Sequence, residues 1–202
     1  MEGTNPVNKK LAAALSGGAV LAMALSGCGS SDDGSSAKLS AWAKQVCDSV
    51  QPQAKKIAAA NAAIQKQTSD NSAPEDVQKT DSQAFQDMSD AYKAIGAAVD
   101  QAGAPDSGDA KNAAQKQQGA VKELNDISAS YASLKKQVDA LDTKDQAKFA
   151  DGLKDVATDL DKLSKNGNGA LKELEAGDVG KAMAEQASCK SVASSSAAAT
   201  AG

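Results

Sequence analysis

The sequence predicts an all-α protein: an elongated antiparallel (up-down-up-down) four-helix bundle with a short fifth C-terminal helix. Aromatic residues make up 2% of the chain, which is too few for the strands of a β-sandwich or barrel. Alanine, lysine, glutamine and leucine dominate its middle, and these are good helix formers. From Leu39 onward, apolar residues recur at alternating spacings of three and four. That pattern places them on one narrow stripe of each helix, as in a bundle.

The antiparallel arrangement follows from the length of the segments. A helix of roughly 30 residues is about 45 Å long and would expose its apolar stripe if it stood alone. Antiparallel packing with short connections buries all four stripes. Many stripe positions are alanine, so we expect a thin core in which the helices approach each other closely.

The first helix is predicted from Leu39 to Ile64, and Trp42, the only tryptophan, lies on its stripe. Pro52 lies inside this helix, where a proline removes a backbone hydrogen bond. We therefore expect the helix to be kinked at Pro52 or split in two there. Trp42 is interpreted as a core anchor, and stacking on a ligand is the alternative role.

The second and third helices carry clear boundary and alignment signals. Pro74 suits the first helical position of the second helix, and two acids follow it in the first turn. Gly103-Ala104-Pro105 predicts the end of this helix. Gln117 on the third stripe and Asn61 on the first are polar residues among apolar ones. Such residues are candidates to set the register of the helices.

The fourth helix is predicted to begin after Thr143, which forms a capping box with Gln146. Its stripe keeps its phase across Asn166–Gly169, although Asn-Gly-Asn-Gly is a strong stop signal. We expect a break or a kink at that point. Asp178 is the predicted N-cap of the short fifth helix. The tail at 191–202 is mostly serine and alanine and is predicted to be disordered.

The composition excludes several classes of function. The chain has no histidine, so Ser-His-Asp or Cys-His catalysis and imidazole metal ligands are not available to it. All its basic residues are lysine, so it has no guanidinium to clamp phosphate or to read guanine. The net charge of −4 argues against nucleic acid, whose binders carry a basic face. We expect no enzyme, no cofactor and no nucleic-acid partner.

Acid pairs in the sequence are interpreted as surface charge. Glu173 and Glu175, for example, are two residues apart and do not share a helix face. Carboxylate metal sites in bundles combine glutamates with Glu-x-x-His motifs. Because the chain has no histidine, no metal site is predicted.

Residues 1–27 have the features of an export signal. Two lysines precede the apolar segment Leu11–Leu25, which is too short and glycine-rich for a stable membrane-spanning helix. Leu25-Ser26-Gly27-Cys28 then resembles the lipobox of bacterial lipoproteins. The resemblance implies transfer of diacylglyceryl to Cys28 and cleavage before it. The alternative is an ordinary signal peptide followed by a fortuitous or buried cysteine.

The resemblance also implies where the domain resides. Residues 28–38 are predicted to be the lipidated cysteine and a flexible polar tether, and residues 39–190 the bundle. The anchor on Cys28 would hold the bundle at the extracytoplasmic face of the cell membrane. The signal and the alanine-rich composition are similar to those of small secreted lipoproteins of actinobacteria.

Cys47 and Cys189 remain once Cys28 is assigned to lipid. An exported protein lies in an oxidising compartment, and two cysteines make an even number. A bundle with an even number of long helices returns the chain to its starting end, where the fifth helix can bring the two thiols together. We predict a Cys47–Cys189 disulfide. The alternative is a redox-active pair, which no Cys-x-x-Cys motif supports.

Two non-catalytic functions remain for the exported bundle, beside an enzymatic one that would have to use metal–carboxylate or Lys/Tyr chemistry. The first is a non-catalytic binding or adaptor module with a protein partner in the cell envelope. The second is a carrier that holds a small apolar ligand or lipid between its helices. The carrier hypothesis predicts a cavity where alanines face each other near Trp42 or Tyr131.

Overall fold

The computed structural model describes residues 32–69, 72–108, 110–166 and 169–191. It contains six helices: α1 Asp32–Ser69, α2 Pro74–Ala102, α3 Ala110–Asp139, α4 Gln146–Asn166, α5 Gly169–Leu174 and α6 Asp178–Glu185. No β-strand occurs in these described ranges, so the predicted all-α class is confirmed. The predicted signal segment, Cys28 and the tail beyond 191 lie outside the described residues.

Helix α1 begins earlier than the sequence predicts. It starts at Asp32, so residues 32–38, predicted to belong to a flexible tether, are helical. Ser35 Oγ donates hydrogen bonds to the backbone oxygen and to Oδ1 of Asp106, both at 3.3 Å. The Lys38 ammonium lies 3.6 Å from the other carboxylate oxygen of Asp106. These contacts with the chain that follows α2 hold the first turns of α1 in helical form.

Helix α1 is not split at Pro52. The helix continues through this residue, so the predicted division is wrong and a kink stays a prediction. The proline removes only the helical donor to the backbone carbonyl of Asp48, four residues earlier. Both Pro52 and Asp48 are exposed, so water can hydrogen-bond that carbonyl.

The helix boundaries agree with the sequence at two positions and differ at two others. Pro74 is the first residue of α2, and Gly103, with a φ of 69°, follows its last residue, as predicted. Asp145, not Thr143, caps α4, because its Oδ1 accepts hydrogen bonds from the backbone amides two and three residues later, both at 3.1 Å. The N-cap of α6 is a glycine in the left-handed region, and Asp178 is the first helical residue. In that position its carboxylate pairs with a lysine one turn later instead of capping the helix.

Side-chain hydrogen bonds join neighbouring helices near their ends. Gln67 Nε2, near the end of α1, donates to Thr80 Oγ1 at 3.0 Å. Gln78 Nε2, near the start of α2, donates to the backbone oxygen of Val138 at 2.9 Å. The end of α1 therefore lies beside the start of α2, and the start of α2 lies beside the end of α3.

Helices α2 and α3 pack through small side chains. The buried Ser89 and Ser128 exchange hydrogen bonds, since each hydroxyl donates to the backbone oxygen of the other residue, at 2.9 and 2.8 Å. Gly96 lies so close to α3 that an added Cβ would meet Leu124 Cβ at 3.4 Å. Small residues thus let the two backbones approach closely, as the alanine-rich stripes predict.

The two polar residues predicted to set register have different positions. Gln117 is buried, and its Nε2 donates to the backbone oxygen of Val99 at 3.2 Å, which supports the predicted role. Asn61 is exposed, so the prediction that it is buried is wrong. The side of α1 that carries Asn61 borders an open cleft instead of a packed core.

The core has two parts that different C-terminal helices complete. The first part, completed by α5 and α6, contains Leu39, Trp42, Ala43, Val46, Ile95, Val99, Ala120, Leu124, Leu174 and Val179. The second part, completed by α4, contains Ala60, Ala84, Phe85, Met88, Leu134, Val138 and Val156. The predicted fourth stripe is therefore divided: α4 ends at Asn166, α5 begins at Gly169, and the two helices pack on different parts of the core.

The predicted disulfide between Cys47 and Cys189 is present, and its Cα atoms are 5.1 Å apart. A hydrogen bond from the Ser188 hydroxyl to the Asp48 carboxylate lies beside it. Ser191, predicted to begin the disordered tail, lies in a further helical segment, residues 187–191, that follows α6 after a bend at Gln186. The C-terminal segment is thus attached to α1 both covalently and through polar contacts.

Asp81 on α2 is a buried carboxylate. Only 8% of its surface is exposed, and its Oδ1 accepts no hydrogen bond in the described part of the chain. Burial raises its pKa from 3.8 to about 6. Because desolvation disfavours the charged form, ionised Asp81 costs the fold stability at neutral pH.

We expect Asp81→Asn to raise the free energy of unfolding by roughly 2 kcal/mol at about pH 7.5, because it removes this cost. The folded-state pKa lies above the ordinary value, so the wild type should regain this difference as the pH falls from about 7 to about 4. Urea unfolding at about pH 7.5 and about pH 5 would measure both effects. Asp90→Asn, at an exposed position of the same helix, should change little. An Asp81→Asn protein that is less stable than wild type at neutral pH would contradict the prediction.

Candidate functional site

A cleft of about 470 Å³ lies among α1, α2, α3 and the C-terminal helices. Most of its lining residues are apolar, and the polar ones are few. The lining consists of Trp42, Val46, Val50, Ala54, Ile57, Ala58, Asn61, Gln65, Tyr92, Ile95, Val99, Leu124, Leu171, Leu174, Glu175 and Met183.

The α1 wall of the cleft is one continuous stripe. Its residues recur at helical spacing from Trp42 to Gln65, and they stay on one side because α1 is not split at Pro52. Ala54 and Ala58 lie in the middle of this stripe. A packed core would have larger side chains at such positions, so the alanines leave space between α1 and the opposite wall.

The opposite wall comes from distant parts of the sequence. Tyr92 belongs to α2, Leu174 ends α5, and Met183 lies in α6. The backbone oxygen of Met183 is 3.8 Å from Cys47 Sγ, so the disulfide lies directly behind this end of the cleft. The bond therefore holds the α6 wall against α1.

Trp42 has a role in both the core and the cleft. Only 6% of its surface is exposed, and its indole Nε1–H donates to the backbone oxygen of Gly103 at 2.8 Å. This hydrogen bond fixes the indole against the end of α2, in agreement with the predicted core anchor. The residue also lines one end of the cleft, so a bound molecule would change its surroundings.

Two stacked tyrosines connect the cleft with the second part of the core. The rings of Tyr92 and Tyr131 are 5.5 Å apart and nearly parallel, and Phe85 lies 6.1 Å from Tyr131 on the other side. Burial raises the pKa of Tyr92. Burial, with the nearby Tyr92, also raises the pKa of Tyr131 to about 12. Both hydroxyls are therefore protonated near neutral pH. Of the two positions predicted for a cavity, the cleft adjoins Trp42, whereas Tyr131 is outside the cleft lining and packs, partly buried, against the second part of the core.

The sequence predicts that Glu175, like Glu173, is a surface charge, and it does not indicate a site at Glu175. The structure places it just after α5, in the lining of the cleft. The residue as a whole is exposed, but partial burial of its carboxyl group raises the pKa of that group. As their spacing of two residues predicts, Glu173 and Glu175 do not face the same way. Glu173 is exposed and lies outside the cleft lining.

A second depression, of about 530 Å³, lies between α1 and α2 near their connection. Its lining is formed by alanines and by polar or charged side chains such as Asp76, Lys79 and Asp87. This surface has neither large apolar side chains nor an aromatic ring. The alanine-centred cleft beside Trp42 is therefore the better candidate for a ligand site.

None of the described helices is long and apolar enough to cross a membrane. Within the described ranges, no three acidic, histidine or cysteine side chains lie together as metal ligands would. The ion pairs are mostly exposed lysine–aspartate pairs within single helices, which contribute little to stability. Comparisons of the chain with protein-family models, curated protein sequences and solved structures found no match.

Proposed function

We propose that this protein is an exported lipoprotein, anchored through Cys28 at the extracytoplasmic face of the cell membrane, whose helical domain carries a small apolar ligand or lipid. The cleft beside Trp42 is the observation that supports carriage. Its volume of about 470 Å³ is within the range of roughly 300–1,000 Å³ that is usual for ligand pockets. An apolar lining with a few polar groups is also typical of such pockets. The domain would hold its ligand without a chemical reaction.

An adaptor for another envelope protein is the function that the sequence favours first. We prefer the carrier function to the adaptor function because a carrier predicts a cavity near Trp42, and the cleft lies there. No surface of the described residues supports binding of a protein partner as specifically as the cleft supports binding of a ligand. The proposed membrane anchor is supported by the lipobox resemblance of Leu25-Ser26-Gly27-Cys28.

Binding to the cleft is expected to change the emission of Trp42, the only tryptophan. The test uses the oxidised chain of residues 28–202 with Cys28→Ser, so that no anchor lipid, signal segment or detergent competes for the cleft. Titration with 1-decanol should give a saturable change in emission. Ala58→Leu fills the middle of the cleft and should weaken the affinity by about tenfold or more, or roughly 1.4 kcal/mol.

Ala62→Leu is the matched control, because Ala62 is exposed on the same helix and is not part of the cleft lining. It should leave the affinity for 1-decanol unchanged. Circular dichroism of both variants would verify that the helices are intact. Emission that does not change saturably, or equal effects of the two substitutions, would contradict ligand binding in the cleft.

A further inference from the structure

The charge in the cleft has one sign. Glu175 is the only acidic or basic side chain among the described residues that line the cleft. No lysine of the described ranges contributes to it. The other polar side chains, Asn61, Gln65 and Tyr92, are uncharged near neutral pH. The cleft therefore offers a ligand one negative charge and no positive one.

The backbone around Glu175 is tightly held. The Glu175 amide donates to the backbone oxygen of Leu171 at 2.9 Å, which continues the helical turn of α5. The Glu175 backbone oxygen packs so closely on Gly180 in α6 that an added Cβ there would lie 2.0 Å from it. The neighbouring Leu174 is buried. The backbone of Glu175 is thus held between α5 and α6 at the edge of the cleft.

The Glu175 carboxylate has no ion pair with a lysine in the described part of the chain. Many other acids do have such a partner, for example Asp161 and Asp178. Partial burial raises the pKa of the Glu175 carboxyl group, although the residue as a whole is exposed. A cationic group in the cleft would supply the missing partner.

We infer that the ligand is a single-chain amphiphile with a cationic head group, whose apolar chain lies along the α1 stripe and whose head group meets Glu175. This inference rests on the proposed carriage of a ligand in the cleft and specifies its chemical class. A cation here gains a charge-assisted hydrogen bond. An anion would be placed beside a carboxylate of the same sign, which would repel it.

Three ligands with the same chain length and different charges test the inference: decylamine, 1-decanol and decanoate. Their dissociation constants are measured from Trp42 emission at about pH 7.5, in the oxidised chain of residues 28–202 with Cys28→Ser. We expect decylamine to bind about tenfold more tightly than 1-decanol, and decanoate to bind more weakly than both. Glu175→Gln should remove the preference for decylamine over 1-decanol.

Glu173→Gln is the matched control. It changes the net charge of the protein by the same amount, two residues away and outside the cleft, and should preserve the preference for decylamine. If 1-decanol binds but decylamine binds no more tightly, the inference is overturned while carriage in the cleft remains. Equal effects of Glu173→Gln and Glu175→Gln would also overturn it. If none of the three ligands binds, the proposed function fails together with the inference.

Discussion

Reduction of the Cys47–Cys189 disulfide is expected to lower the free energy of unfolding by up to about 5 kcal/mol. The bond joins residues 142 positions apart. Without it, the unfolded chain regains the freedom of a long loop, and that entropy stabilises the unfolded state. A loss of this size would remove much of the stability of a domain, which is typically about 5–15 kcal/mol. The thin, alanine-rich core has few large apolar side chains whose burial could compensate for the lost stability.

Urea unfolding with and without a reductant measures this effect. The midpoint of the wild type should fall strongly on reduction. The double variant Cys47→Ser/Cys189→Ser should unfold at the lower midpoint in both conditions. Native lipidated protein should show no reactive thiol until it is reduced. A midpoint that reduction does not change, or two reactive thiols in the native protein, would exclude a stabilising disulfide.

The same reduction should weaken ligand binding. The backbone oxygen of Met183 lies 3.8 Å from Cys47 Sγ, and Met183 forms part of the cleft wall. When the bond opens, α6 loses its covalent attachment to α1. The affinity for 1-decanol should therefore fall in reduced protein, even under conditions in which the helices remain folded.

Cys28→Ser is expected to abolish lipid attachment and cleavage before residue 28. The thiol is the acceptor of diacylglyceryl in the chemistry that the lipobox resemblance implies, and a hydroxyl is a much weaker nucleophile near neutral pH. Labelled fatty acid should enter the wild type and not the variant. Mass spectrometry should find a lipidated chain that begins at Cys28 in the wild type, and a precursor that retains residues 1–27 in the variant.

Ser26→Ala is the control for Cys28→Ser. It replaces one small residue of the proposed lipobox by another and should leave lipid attachment and cleavage unchanged. Wild-type protein that incorporates no labelled fatty acid would contradict the anchor. In that case the export signal would be an ordinary signal peptide, the alternative that the sequence leaves open.

Several features of the fold were predicted because their causes are local. The proline at position 74 and the glycine at position 103 begin and end α2 through their own backbone preferences. The stripe spacing identifies most of the buried residues, including Trp42 and Gln117. The disulfide was predicted by combining helix number with an even cysteine count, and Cys47 and Cys189 do meet.

The errors occurred where a contact with a distant residue decided the outcome. Residues 32–38 are predicted to be a flexible tether from their composition alone. In the structure, Asp106 accepts a hydrogen bond from Ser35 and pairs with Lys38. Asn61 follows the stripe but is exposed, because that side of α1 borders the cleft. Glu175 is exposed, as its interpretation as surface charge predicts, but the sequence does not show that the residue lies beside the cleft.

The sequence by itself determined the helical class, the main helix boundaries and the absence of histidine and arginine chemistry. These depend on residue type and on spacing within a few turns. Only the tertiary structure decided that a cleft exists and that its single charge is negative. Its walls combine α1, α2 and α3 with Leu174 and Met183, which are more than a hundred residues from Trp42 along the chain. An empty space and its charge are properties of surfaces brought together by folding, and helical periodicity describes only one surface at a time.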